Sequence, residues 1–142
     1  MSAMVLRAYH PNDEDAVISL WNACGLVVPQ NNPKRDIERK LRVNPELFLV
    51  GELDGTIIAS CMAGYEGHRG WINYLAVHPG HQRQGFAREI MRHAESLLRA
   101  AGCPKINQQV RSTNTAVIAF YEQLGFTTDA VTSMGKRLEY DS

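Results

Sequence analysis

The spacing of apolar residues along the first part of the chain predicts a strand followed by two helices. Residues 5–9 alternate in part and predict a short strand. After Pro11 and an acidic turn, an amphipathic helix is predicted that ends at Gly25. Its apolar positions recur at steps of three and four residues, at Val17, Leu20, Trp21 and Cys24. A shorter helix is predicted around residues 36–41, after a loop at residues 27–34 that contains two prolines.

Residues 47–77 have the spacing of strands. Two apolar runs, 47–53 and 56–65, flank the pair Asp54-Gly55. An Asp-Gly pair between two such runs is a strong signal for a β-hairpin. A further turn leads into a third apolar run at residues 71–77. We therefore expect three successive strands in an antiparallel meander.

The second half of the chain begins with a long helix, predicted over residues 86–101. Its apolar face comprises Phe86, Ile90, Met91, Ala94, Leu97, Leu98 and Ala101. After Gly102, a strand is predicted at residues 105–110 and a shorter helix at residues 114–124. One or two closing strands are expected before Glu139. This succession of strands and helices predicts a mixed α/β fold.

Length and charge narrow the functional classes. A chain of 142 residues predicts one domain over residues 1–142. The formal net charge is zero, which argues against a broad surface for nucleic acid. No apolar run reaches the length of a membrane span, and the N-terminus lacks the basic leader of a secretion signal. We expect a cytoplasmic protein with neither nucleic acid nor membrane as a partner.

The spacing of cysteine and histidine does not predict a metal site. His78 and His81 are separated by Pro79-Gly80, which prevents the two imidazoles from sharing a helical face. The cysteines are odd in number and contain no Cys-x-x-Cys pair: Cys24, Cys61 and Cys103. We expect three buried free thiols and no metal.

A turn at residues 78–88 joins the third strand to the long helix and contains no carboxylate before Glu89. The start of a helix presents unpaired N–H groups and partial positive charge, which suit a phosphate. A Walker loop is excluded, because Phe86-Ala87 follow Gly85 where Lys-Ser/Thr is required. A dinucleotide fingerprint is excluded because two of its glycines are missing. On this stretch alone, a plain strand-to-helix turn remains the alternative.

Two motifs resemble those of the Gcn5-related N-acetyltransferases, the GNAT family. The first is Gln82-x-x-Gly85-x-Ala87, which follows a strand and resembles the family's acyl-CoA pyrophosphate loop. The second runs from Asn114 to Phe126 and resembles the family's pattern of Asn before a helix that contains Phe-Tyr and ends at Gly-Phe. Both occur in the family's order, and the resemblance covers nearly the whole chain. The bacterial YpeA-type subgroup is resembled at residues 36–40, 65–70 and 102–106.

The resemblance implies the GNAT fold, with an antiparallel meander, a splayed pair of parallel strands and helices on both faces. It also implies acetyl-CoA as co-substrate. Backbone groups of Leu75, Ala76 and Val77 would bind the pantetheine amides where the parallel strands separate, and one N–H there would polarise the thioester carbonyl. Asn114 and Phe120 would line the pantetheine channel. The pyrophosphate would contact Gln82, Arg83, Gln84, Gly85, Phe86, Ala87 and Arg88.

The same resemblance implies that Tyr121 is the general acid. A neutral tyrosine, with a pKa of about 10, can protonate a leaving thiolate at physiological pH. Relatives that acetylate protein N-termini carry a Glu on the fifth strand where this chain has Gln109. Glu66, on the turn before the fourth strand, is therefore the candidate base, with His68 and water as alternatives. The alternative for Tyr121 is a packing role in the core. The alternative for Glu66 and His68 is that each is a solvated residue of the turn.

Together these features predict an N-acetyltransferase that transfers an acetyl group from acetyl-CoA to a primary amine by direct attack in a ternary complex. The acceptor would be a small molecule, an amino acid or a protein N-terminus. The loop at residues 27–34 either binds this acceptor or only connects two helices. A catalytically silent acyl-CoA-binding or regulatory module is the alternative function. A homodimer is kept open, because the sequence does not determine the oligomeric state.

Overall fold

The computed structural model describes residues 3–141, which form two compact units. The first unit extends to Asn107 and also includes Asp141, and the second comprises Gln108–Tyr140. The strands are β1 (Val5–Ala8), β2 (Phe48–Leu53), β3 (Thr56–Tyr65), β4 (Gly70–Val77) and β5 (Ile106–Asn107). The α-helices are α1 (Glu14–Ala23), α2 (Pro33–Lys40), α3 (Phe86–Ala100) and α4 (Thr115–Gln123). Short 3₁₀ turns are formed by Pro11–Asp13, Pro45–Leu47 and Pro79–His81.

The five strands form one sheet in the order β1-β2-β3-β4-β5. The first four strands pair antiparallel, and β5 pairs parallel to β4. The hairpin predicted at Asp54-Gly55 is confirmed, since both residues have positive φ (52° and 81°), as a tight two-residue turn requires. The antiparallel meander and the parallel pair that follows it are therefore as predicted.

Helices cover both faces of the sheet. On one face, Trp21 of α1 and Ile37 of α2 share a buried cluster with alternate residues of β2, namely Phe48 and Val50. On the other face lies α3, whose Leu98 packs close to the Cα atom of Gly70. Because β2 and β3 are covered on both faces, apolar residues occupy nearly every position of these two strands.

Helix α1 is anchored at its start by an ion pair. Arg7 binds the carboxylate of Asp13 with both terminal nitrogens, at 2.7 and 2.9 Å, and also pairs with Glu52. Asp13 is buried and accepts a further bond of 2.8 Å from the His10 amide. These interactions, led by the bond from Arg7, hold the pKa of Asp13 below its usual range. The ion pair therefore ties β1 and β2 to the beginning of α1.

Two features of the C-terminal third differ from the prediction. The strand predicted at residues 105–110 is formed only by Ile106–Asn107. The closing strands are absent from the described residues 126–141. The apolar side chains of this segment are exposed, so ordering them as strands would bury nothing that offsets the entropy cost. They are Val131, Met134, Leu138 and Tyr140.

The burial of the cysteines differs in part from the prediction. All three cysteines are free thiols, but only Cys61 is fully buried, whereas Cys24 and Cys103 are partly exposed.

The longest helix, α3, has 15 residues and an amphipathic surface. Within the described part of the chain, the helices are too short or too polar to cross a membrane.

Candidate functional site

Strand β4 contains a β-bulge near its middle. Ser60 and Met62 of β3 lie opposite Ala76 and Asn73, so that Cys61 alone faces two residues of β4, one of which is Tyr74. Tyr74 has a positive φ of 50°. This conformation is rare for a bulky residue and costs roughly 1–2 kcal/mol. A bulge bends its strand and redirects the backbone groups that follow.

The pairing between β4 and β5 ends before this bulge. The two strands match only at Gly70–Ile106 and Trp71–Asn107, while β4 continues to Val77. The next amide, that of His78, donates to the Ile58 carbonyl of β3 at 2.8 Å. Because successive residues of a strand point to opposite edges, Leu75 and Val77 direct their amides away from β3. The segment predicted to bind pantetheine therefore lies on the edge of β4 that β5 leaves.

The carbonyl of Val77 connects this strand end to α1 and to the phosphate loop, residues 78–88. It accepts a hydrogen bond from the Cys24 thiol at 3.3 Å and one from the Gln82 side-chain amide at 3.1 Å. The loop then contains two residues with positive φ, Arg83 (63°) and Gly85 (86°). Left-handed residues of this kind turn successive amides toward a common side, which is the geometry of anion-binding loops.

The first turn of α3 is suited to an anion. Gly85 is the N-cap residue and supplies no side-chain cap, while its carbonyl accepts the Glu89 amide at 3.0 Å. Within residues 3–141, the amides of residues 85–88 donate to no carbonyl or side chain. A Cβ atom built on Gly85 would meet nothing within 4 Å, so the approach to these amides is open. The helix dipole adds positive charge there.

The side chains around this turn favour negative charge as well. Gln82, Arg83 and Gln84 are exposed, and Arg88 is half-buried on the first turn of α3. The nearest carboxylate along the chain is that of Glu89. Free amides, basic side chains and an open approach together fit the diphosphate of a coenzyme A thioester.

Glu66 and His68 lie on the turn between β3 and β4. The Glu66 carboxylate accepts the amide of Arg69 and, at 2.8 Å, that of His68. These bonds, first that from Arg69, hold the pKa of Glu66 below its usual range. The turn precedes Gly70, and Leu75 lies five positions further along the strand, about 16 Å at roughly 3.3 Å per residue. This geometry does not favour direct proton transfer between Glu66 and a thioester bound beside Leu75.

The remaining predicted residues belong to the second unit. Asn114 is the N-cap of α4, where its side chain accepts the Val117 amide at 3.4 Å. Phe120 is half-buried, and Tyr121 is buried with its ring edge-on to those of Phe120 (5.1 Å) and Phe126 (5.4 Å). The phenol of Tyr121 thus belongs to a packed aromatic group of α4 and the residue after its end.

Gln109, also in the second unit, is exposed and pairs with the Ser133 hydroxyl. A neutral amide cannot accept a proton at physiological pH. The departure from Glu at this position therefore leaves no base there.

Sequence reasoning missed the residues that surround the bulge. Tyr74 stacks on Trp21 and donates to Asp36, and its carbonyl accepts the hydroxyl of Ser60. One sequence signal was available, since Ser60 is the only hydroxyl within the otherwise apolar run 57–63. A buried hydroxyl in a strand must have a partner, but the sequence does not name that partner.

Comparison with known proteins shows the family to which the chain belongs. The model of the Acetyltransferase (GNAT) family matches residues 14–126. An acetyltransferase of Yersinia pestis is 49% identical over 138 residues, covering 97% of this chain and 98% of that protein. The ribosomal-protein-S18-alanine N-acetyltransferase from Escherichia coli has a TM-score of 0.75 at 22% identity, over 88% of this chain and 78% of that one. The structure of AAC(6′)-Iy with a bisubstrate analogue has a TM-score of 0.79 at 18% identity, over 96% and 99%.

The two solved structures have the same fold as this chain, and the Yersinia pestis acetyltransferase is similar to this chain over nearly its full length. The family match spans both the phosphate loop and α4, the two places where the site residues were predicted. The chain therefore belongs to the Acetyltransferase (GNAT) family and is an acetyltransferase.

Proposed function

We propose that this acetyltransferase transfers the acetyl group of acetyl-CoA to a primary amine by direct attack in a ternary complex. The observation that carries the proposal is the pairing of two features in one segment. The first is the first turn of α3, whose amides at residues 85–88 have no partner among residues 3–141, and the second is the edge of β4 beyond the bulge. A diphosphate needs the first feature, and the amide-containing arm of coenzyme A needs the second.

In this proposal each part of the co-substrate has its own set of residues. Leu75, Ala76 and Val77 bind the pantetheine amides through the backbone. An amide of that segment donates to the thioester carbonyl and stabilises the negative charge that develops on its oxygen. Asn114 and Phe120 line the pantetheine channel. The diphosphate contacts Gln82, Arg83, Gln84, Gly85, Phe86, Ala87 and Arg88.

The reaction needs no acyl group on the protein. The lone pair of the neutral amine forms the new C–N bond, and the C–S bond then breaks. The departing sulfur takes a proton from the hydroxyl of Tyr121, and the nitrogen gives up its own proton. We assign that second proton to water rather than to Glu66, because of the distance and the lowered pKa of this carboxylate.

The choice of water as proton acceptor bears on the class of amine. An α-amino group has a pKa of about 8, so part of it is already neutral under physiological conditions. A lysine amine has a pKa of about 10.4 and is almost wholly protonated there. The structural neighbours include one enzyme for an alanine of ribosomal protein S18 and one for an aminoglycoside. A small amine, an amino acid and a protein N-terminus are therefore the acceptors to test, in preference to lysine side chains.

Two measurements on the intact protein test the proposal. Acetyl-CoA should raise the melting temperature, since a ligand that binds only the folded state stabilises it by mass action. A panel of small amines, amino acids and peptides with free N-termini should then release coenzyme A thiol from acetyl-CoA. Stabilisation without thiol release from any acceptor would favour the silent acyl-CoA-binding module. No stabilisation would contradict both functions.

A further inference from the structure

Tyr74, at the bulge of β4, is held by three different elements of the first unit. Its ring stacks on that of Trp21 in α1, with centroids 3.9 Å apart and planes 15° from parallel. Its hydroxyl donates to the Asp36 carboxylate of α2 at 2.6 Å. Its carbonyl accepts the Ser60 hydroxyl of β3 at 2.8 Å. Both ends of the residue, backbone and side chain, are therefore restrained.

Ser60 connects the bulge to α1. Its side chain is fully buried, and its oxygen accepts the indole N–H of Trp21 at 2.9 Å while its hydroxyl donates to Tyr74. Trp21 is itself completely buried. A buried chain of this kind is stable only when every member has a partner, so loss of one member disturbs the rest.

The bulge needs such restraint because its backbone is unfavourable. A tyrosine at φ 50° persists only where its surroundings over-determine it. If β4 relaxed to a regular register, each following residue would move by one position and its backbone would point to the opposite edge. The amides of Leu75 and Val77 would then no longer face the edge that β5 leaves.

We propose that Trp21, Ser60, Asp36 and Tyr74 form a bulge clamp, a set of positioning residues that aims the amides of residues 75–77 at the pantetheine arm of acetyl-CoA. This inference rests on the function proposed above. It predicts that two parts of the protein bind two different parts of acetyl-CoA. The clamp affects the arm of the co-substrate, whereas the phosphate loop alone holds its nucleotide end.

The test compares two probes by isothermal titration calorimetry. One is acetyl-CoA, and the other is 3′-phosphoadenosine 5′-diphosphate, which carries the diphosphate but no pantetheine. The variant Tyr74→Phe removes the hydrogen bond to Asp36, and Ser60→Ala removes two, one from the Trp21 indole and one to the Tyr74 carbonyl. We expect each to weaken acetyl-CoA about fivefold or more, the value of one hydrogen bond, and to leave the nucleotide unchanged.

Three further variants separate positioning from general damage. Asp36→Asn keeps an oxygen that accepts from the Tyr74 hydroxyl, so it should retain acetyl-CoA affinity, whereas Asp36→Ala should not. Tyr65→Phe is the matched control, because among residues 3–141 the Tyr65 hydroxyl bonds to the carbonyls of Gly67 and Gly102, away from the bulge. Its affinities for both probes should equal those of the wild type.

The outcomes distinguish the clamp from the function on which it rests. If the wild type binds both probes and the clamp variants weaken both equally, or weaken neither, the clamp is wrong and the proposed function stands. If the wild type binds no acetyl-CoA, the proposed function fails and the clamp fails with it. Should Ser60→Ala not fold, the comparison of Tyr74→Phe with Tyr65→Phe decides alone.

Discussion

The side-chain amide of Gln82 donates to the carbonyl of Val77 at 3.1 Å, and this bond joins the first residue of the motif Gln82-x-x-Gly85 to the last residue of β4. The two regions predicted to bind different parts of acetyl-CoA are thereby held at a defined separation. The bond is partly buried, so its loss costs free energy that a hydrogen bond to water does not fully restore. Gln82 thus has a structural contact in addition to any contact with the diphosphate.

Replacing Gln82 with alanine should raise the KM for acetyl-CoA about two- to tenfold, the range for loss of one neutral hydrogen bond. The turnover number should change little, because the bond does not form or strengthen during acetyl transfer. Steady-state kinetics with varied acetyl-CoA measure both values. Gln82→Glu, whose carboxylate cannot donate to Val77, should have the same effect or a larger one. A fall in kcat at unchanged KM would contradict this assignment.

Replacing Gly85 with alanine should raise the Kd for acetyl-CoA by about tenfold or more, which corresponds to about 1.4 kcal/mol. The reason is that a φ of 86° strains any residue with a Cβ, and relief of this strain would shift the amides that follow residue 85. Gly102→Ala is the matched control, because Gly102 also has a positive φ (89°) and open space at its Cβ but follows the far end of α3. Equal loss of affinity in both variants would indicate general destabilisation.

Replacing Tyr121 with phenylalanine should lower kcat by about 10²- to 10⁴-fold, the usual contribution of a general acid. The ring contacts with Phe120 and Phe126 remain, so the aromatic packing of α4 is kept, and the melting temperature of the variant reports any separate loss of stability. The rate is best measured over the full pH range, together with Tyr140→Phe, which alters an exposed tyrosine. Turnover by Tyr121→Phe equal to the wild type at every pH would exclude the acid role.

Replacing Glu66 with glutamine should leave kcat and its pH profile unchanged. The carboxylate is engaged by the amides of Arg69 and His68 and lies at the end of β4 opposite to the phosphate loop. Glu38→Gln, on the exposed surface of α2, provides the comparison. A loss of activity that grows as the pH falls, where more of the amine is protonated, would instead identify Glu66 as the base.

Replacing Asp13 with asparagine should destabilise the fold by about 2 kcal/mol at pH 7, the value of hydrogen bonds between charged groups. The pKa of Asp13 is lowered in the folded state, chiefly by Arg7. Its stabilising contribution is therefore complete above the unfolded pKa of about 3.9 and is lost as the pH falls through the lower folded pKa. Urea titrations at pH 7 and pH 3 should show a smaller difference between variant and wild type at pH 3 than at pH 7. Asp15→Asn, an exposed residue of α1, is the control.

Local signals in the sequence were sufficient for most of the fold. The Asp54-Gly55 turn, the apolar periodicity of α3 and the caps at Gly25 and Asn114 each depend on neighbouring residues alone. The closing strands were predicted wrongly, because pairing of strands requires a distant partner and a buried face. Val131 and Leu138 have no such burial, at 78% and 89% exposed.

Some features of the candidate site could likewise be predicted from local sequence, and others could not. The amides of the first turn of α3 follow from Gly85 and the residues around it, because a helix start exposes its amides in any context. The surroundings of Tyr74 do not follow from the sequence, since its partners lie 38, 14 and 53 positions away along the chain, counted to Asp36, Ser60 and Trp21 respectively. No local pattern encodes contacts at such separations.

By itself, then, the sequence determined where most helices and strands lie along the chain, and that a glycine-containing turn joins β4 to the exposed amides at the start of α3, because these properties arise from backbone chemistry within a few residues. Tertiary structure alone decided that β4 carries a bulge with its tyrosine at a positive φ, and which buried side chains hold that bulge. The physical reason is that register and separation are set by packing between distant segments, whose energies depend on which surfaces meet.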